Sequence, residues 1–183
     1  VLAGVNFGLY YAVRSRRDLG ALRDRELGAY IALLLGATLV ITLGLLERSQ
    51  GDVLEALRYA LFQVAATVST TGYSSDDFNL YPNHCRMLFL LLMFVGAMGG
   101  STGGGFKVSR LLIILSTSFQ EIRHGLHPRA VFSTRLGSRL IESRVVATVT
   151  AMFVIAVVGL CLGTFALTAM GLEFETALSA TIT

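Results

Sequence analysis

The chain has 183 residues, 54% of them hydrophobic and 15% charged, with a mean hydropathy of +0.66 and a formal charge of +3. A soluble domain is about a quarter charged, so this composition excludes a soluble enzyme and a disordered segment, and two cysteines are too few for a disulfide scaffold. No short apolar segment with a small-residue cleavage site opens the chain, which excludes a secretory signal, and the sequence reads as an excerpt of a longer integral membrane protein.

In chain order, residues 1–13 read as the end of a membrane span. Residues 14–26 read as a polar linker, with Asp24 as a helix cap. Of the 15 Lys and Arg residues, five lie in Arg14–Arg25 and seven in Lys107–Arg144. Cytoplasmic loops favour Lys and Arg, so both stretches are expected inside and 47–86 outside. No aromatic platform interleaves them, so no nucleic-acid partner is expected.

Ala29–Leu46 is apolar throughout, and the spacing predicts a span over 27–47. Asp52–Val68 is amphipathic and too short to cross. Asp52 followed by Glu55 resembles an acidic capping box, so a helix is expected over 53–68. With 47–86 outside and Lys107 inside, only one net crossing separates them, and 86–119 must supply it. The 53–68 helix therefore has to enter the membrane and return, which makes 69–73 its outward-returning piece. Non-helical backbone at membrane depth is tolerated only where protein buries it or a water-filled cavity receives it.

Met87–Met98 is apolar but short. It runs into Gly99, Gly100, Ser101, Thr102, Gly103, Gly104, Gly105, Phe106 and Lys107, and helical character resumes at Val108. An interrupted span over 86–119 is expected. Residues 120–144 form a cytoplasmic loop carrying His124 and His127, a pair without Cys or carboxylate company and so a solvated one. Residues 145–169 form a span with a Gly159-x-x-x-Gly163 packing motif. From Glu173 the acidic start, apolar helix and Ser/Thr ending of 52–71 begin again, the mark of a repeated unit. Cys85 is expected outside and Cys161 within a span, so they should not pair.

Two segments carry chemistry. After a helix entering from outside, carbonyls of Thr70, Thr71 and Gly72 can replace the hydration shell of a cation, with the negative helix end behind them. Gly72 can take the positive φ that turns a carbonyl inward. Glycines 99–105 suggest a movable intramembrane loop, and Lys107 at its end is either functional or snorkelling. A phosphate-binding loop fits poorly, because Phe106 stands where that motif needs Lys. No nucleophile, base and orienter set presents itself, so catalysis is not expected. The competing classes are a membrane ATPase subunit with a degenerate phosphate loop and a purely structural membrane domain, which would carry a continuous helix through 96–110.

VSTTGYSSDDF at 68–78, GAMGGSTGGGFKVSRLL at 96–112 and HPRAVFSTRLG at 127–137 resemble the Trk/Ktr/HKT superfamily of potassium-uptake channels and transporters, most closely the membrane subunits of bacterial Trk systems. The resemblance implies an all-α integral membrane fold of membrane–pore helix–membrane repeats, with a re-entrant pore loop and an interrupted transmembrane helix. It implies that 1–13 ends a second repeat, 27–119 is a third, and 145–183 starts a fourth with a pore helix from 173. It makes Thr70, Thr71, Gly72 and Tyr73 a potassium filter. Gly99, Gly100, Ser101, Thr102, Gly103, Gly104, Gly105 and Lys107 become parts of an intramembrane gate. Potassium would be the transported ion, with no covalently bound cofactor. A homodimer in the lipid of a bacterial inner membrane and cytoplasmic nucleotide-binding regulatory subunits, met by Arg123–Arg144, are the implied partners.

Overall fold

The long helices expose apolar residues that a water-soluble fold would bury. The computed structural model describes residues 2–16, 20, 24–46, 49, 51–77, 80–126, 135–136, 139–140 and 142–182. A 3-10 turn at Leu2–Gly4 leads into α1 (Phe7–Arg16), followed by α2 (Arg25–Leu45), α3 (Val53–Val68), α4 (Asn83–Phe94), α5 (Val108–Leu126), α6 (Ser143–Ala169) and α7 (Phe174–Ile182). Between α5 and α6 the backbone forms a two-residue antiparallel ladder, Arg135–Leu136 with Arg139–Leu140, the one departure from an all-helical chain among the described residues. His127, Pro128 and most of the basic segment up to Arg144 lie outside the described residues, as does part of the 14–26 linker.

Helix α2 has 21 residues, about 32 Å at 1.5 Å per residue, enough to cross a bilayer. One face buries Tyr30, Leu34, Ala37, Thr38 and Ile41, while Ile31, Leu35, Leu39 and Leu43 form an exposed stripe four residues apart. A stripe of bare leucines beside a packed face suits lipid on one side and protein on the other. Helix α6 is apolar all round and mostly uncovered, with Ile155 71% and Phe165 73% exposed.

Asp24 caps α2 by accepting from the Glu26 N–H (2.7 Å), and Asp52 caps α3 by accepting from Leu54 and Glu55 (2.9 and 3.2 Å). The capping box is one-sided, however. The Asp52 N–H donates to the Ser49 carbonyl, so the turn from α2 into α3 takes the donor that Glu55 would otherwise receive. Small residues Ala56 and Ala60 then press α3 onto α2, where they share one core with Ile41, Val64, Cys85 and Met98.

The interruption between α4 and α5 begins earlier than the glycine run suggests. Unwinding starts at Val95, where Gly96 donates to the Phe106 carbonyl (2.9 Å) and Phe106 to the Phe94 carbonyl (2.9 Å). This short parallel bridge forces extended backbone at Val95, so the break covers 95–107 rather than 99–107. Phe106 is buried against Phe94 and Phe153, with ring centroids 6.0 and 5.4 Å away. The glycine run follows a helix rather than a strand, and its Phe is a packing anchor, so nothing here resembles a phosphate-binding loop. A continuous helix through 96–110, which a purely structural domain would show, is also excluded.

Helix α7 lies on α6, and Arg86 of α4 pairs with Glu175 in the first turn of α7. Cys85 is buried and Cys161 exposed, both free. Of the two motif glycines on α6, only Gly163 meets α7. A Cβ there would overlap Thr181, whereas a Cβ at Gly159 would meet nothing. Replacing Gly163 by Ala should therefore lower the thermal midpoint of the detergent-solubilised full-length protein, by an overpacking cost of about 1–3 kcal/mol. Gly159→Ala should leave it unchanged or raise it, because Ala is the better helix former by about 1 kcal/mol. Equal midpoints for the two variants would refute the α6–α7 contact.

Candidate functional site

Three chain segments meet at the interruption. Helix α3 ends there, α4 ends there, and the loop 95–107 fills the space between them. Ser69 closes α3, with the Thr70 N–H donating to the Thr67 carbonyl (3.1 Å) and the Thr71 N–H to the Ala66 carbonyl (3.0 Å). This pair of bonds is a Schellman cap, whose left-handed residue is usually glycine. Here that residue is Thr70, at φ 51°, a strained setting for a β-branched side chain. Its hydroxyl accepts a hydrogen bond from the Gly104 N–H (2.9 Å), tying the end of α3 to the loop.

Two residues on, Gly72 has φ 74°. A Cβ would meet nothing there, so the backbone angle rather than crowding makes glycine the suited residue. Thr71 sits between the two left-handed residues, its hydroxyl 2.5 Å from that of Ser69, which in turn bonds the Ala65 carbonyl. Thr70, Gly72 and the exposed Tyr73 line a cavity of about 550 Å³ together with Gly104, Gly105, one face of α4 from Arg86 to Met93 and α7 from Glu175 to Ile182. Thr71 and residues 99–103 do not line it.

Gln63, buried on α3, holds the chain behind this segment. Its amide nitrogen donates to Ser74 Oγ and to the Asp76 carbonyl, both at 2.9 Å. Sequence reasoning passes over it, although a glutamine on an otherwise apolar helix face is a usable signal.

The loop itself is bonded on every side. Met98 donates to the Gly4 carbonyl (3.0 Å), Phe7 donates to the Gly100 carbonyl (3.2 Å), and the Thr102 hydroxyl donates to the Ala3 carbonyl (3.2 Å). Glu26 of α2 accepts from Gly99 and Ser109. Half-buried Lys107 turns its ammonium back onto the Gly103 carbonyl inside the loop, which uses the charge locally. Two of the loop glycines are set by backbone-to-backbone approach. A Cβ at Gly96 would overlap the Gly104 carbonyl, and one at Gly105, where φ is 70°, would come within 2.8 Å of the Gly96 Cα. Nothing in the sequence marks Glu26 or residues 3–7 as partners of the loop. Among the described residues no cluster of three or more His, Cys, Asp or Glu could hold a metal ion.

Comparison with known proteins identifies the setting. The family model described as TrkH, a cation transport protein, matches residues 37–183. The Trk system potassium uptake protein TrkH of Salmonella typhimurium is 34% identical over 155 residues, covering 84% of this chain and 32% of its own length. TrkI of Halomonas elongata, another Trk system potassium uptake protein, is 33% identical over 181 residues, 97% of this chain and 36% of its own. The crystal structure of the potassium transporter TrkH from Vibrio parahaemolyticus superposes with a TM-score of 0.90 at 30% identity, covering all of this chain and 40% of that one. The chain spans about a third of the length of the curated relatives it matches. With two helices among the described residues long and apolar enough to cross a membrane, a family model matching most of the chain and a fold matched along its whole length, the chain belongs to the TrkH family of cation transport proteins.

Proposed function

We propose that this chain supplies one quarter of a potassium-uptake pathway, as the third repeat together with the end of the second and the start of the fourth. Potassium loses water to carbonyls of Thr70, Thr71, Gly72 and Tyr73 at the carboxyl end of α3. It then passes inward when the loop through Gly99–Gly105 and Lys107 moves aside. The observation that carries this reading is the alternation of handedness at 70–72. Left-handed residues on both sides of Thr71 turn successive peptide units so that neighbouring carbonyls can face one side, which a coordinating strand needs. The negative end of α3 favours a cation there. The Thr70–Gly104 bond, with Gly104 and Gly105 lining the same cavity, supports a loop that works against this segment.

The names of the relatives support potassium as cargo. The assembled protein is proposed to be a homodimer in the lipid of a bacterial inner membrane. Cytoplasmic nucleotide-binding regulatory subunits are proposed to act on the basic segment from Arg123 to Arg144. An ATPase-subunit reading has no observation in its favour.

Replacing Gly72 by Ser in the full-length protein should lower potassium-over-sodium selectivity, since a non-glycine residue resists φ near 74°. Unchanged selectivity in paired potassium and sodium flux assays would remove the filter assignment. Deleting Gly103 and Gly104, which takes the Thr70 partner with it, should raise potassium flux in the absence of the regulatory partner. Flux equal to that of the unaltered protein would remove the gate.

A further inference from the structure

Glu26 lies in the first turn of α2, far from the filter and the glycine run in sequence. Its own N–H is taken by Asp24, and its half-buried side chain reaches across to the interruption. One carboxylate oxygen, Oε1, accepts two hydrogen bonds there, from the Gly99 N–H at 2.6 Å and from the Ser109 N–H at 3.1 Å. Gly99 opens the glycine run inside the loop and Ser109 lies in the first turn of α5, so a single atom joins the glycine run to the helix that follows it. A Cβ on Gly99 would crowd Ser109 Oγ at 2.9 Å and approach Glu26 Oε1 at 3.5 Å, so glycine permits the closure.

The first N–H groups of a helix have no partner within it, and a carboxylate placed there makes charge-assisted bonds along the favourable direction of the helix dipole. An ordinary cap would stop at α5. This one also holds Gly99, so the glycine run cannot shift against the start of α5 without stretching a bond to the same oxygen.

We propose that Glu26 is the positioning residue of the intramembrane loop. Its carboxylate staples the loop shut and couples it to the first turn of α2, beside the direct bonds from residues 3–7. This rests on the reading of the loop as a gate.

The test uses the full-length protein in proteoliposomes of phosphatidylethanolamine and phosphatidylglycerol. Potassium flux and sodium flux are measured without a regulatory partner, and amide hydrogen exchange is followed over residues 99–109. Glu26→Ala should raise resting potassium flux roughly tenfold, the effect of losing a bias of about 1.4 kcal/mol, and should speed exchange at Gly99 and Ser109. Glu26→Asp, which keeps the charge but falls about 1.5 Å short, should do the same, and it carries the test if the alanine variant fails to assemble. Glu26→Gln keeps an acceptor oxygen but loses the charge, and should leak less than Glu26→Ala and more than the unaltered protein. The potassium-to-sodium flux ratio should be constant throughout.

Unaltered flux in the Ala and Asp variants would overturn the proposal even if exchange quickened, because the contact would then be structural only. A Gln variant as leaky as Ala would overturn the acceptor role. If neither the unaltered protein nor any variant passes potassium, the transport reading fails by itself, and the exchange pattern still decides whether the staple exists.

Discussion

An unwound stretch of chain at membrane depth has no water to bond, and each orphaned backbone group there costs several kcal/mol. Residues 95–107 meet this constraint with partners drawn from three other places and from the loop itself. The 3-10 turn and the start of α1 supply Ala3, Gly4 and Phe7, the start of α2 supplies Glu26, the end of α3 supplies Thr70, and the loop pairs with itself at Gly96 and Phe106. The positions of α1, α2 and α3 around the break follow from this need. Glycine at 96 and 105 lets the two sides of the break come close enough to bond, so these residues serve contact as much as mobility.

The same bonds explain why the end of α3 is built as it is. A Schellman cap with glycine at its left-handed residue would be less strained. Thr70 accepts the unfavourable φ and in return offers a hydroxyl to Gly104, which glycine could not do. Behind it, Gln63 bonds Ser74 and Asp76, so the short segment between, whose Gly72 and Tyr73 line the cavity, is held at both ends. A segment held in this way changes little in shape when a small ligand arrives, which is what discrimination by coordination geometry requires.

Much of the helical framework is legible in the sequence, because it follows from local patterns. Asp24 and Asp52 mark helix starts, and apolar runs fix α2 and α6. Charge placement, with one crossing available for 86–119, leaves α3 no route but to enter and return. The lower boundary of the break is not legible. Met87–Met98 is uniformly apolar, and only the pairing of Gly96 with Phe106 stops the helix at Phe94. Long-range partners are equally silent. Glu26 looks like any acidic residue in a first turn, and Gly4 and Phe7 look like parts of an unrelated helix. Lys107 was readable as a charge near the membrane, but its bond to Gly103 depends on a loop fold that spacing does not encode. The paired glycines of α6 show the limit of motif reading, since one meets α7 and the other meets nothing.

The pair between Arg86 and Glu175 joins the first turn of α4 to the first turn of α7. It is partly exposed, and such pairs add little to stability. Its consequence is alignment. A helix that slips by one turn moves about 5.4 Å along its axis, which would part the two charges entirely. The pair therefore acts as an index mark between successive units, setting the depth at which α7 begins against the wall that already carries Thr70 and Gly72.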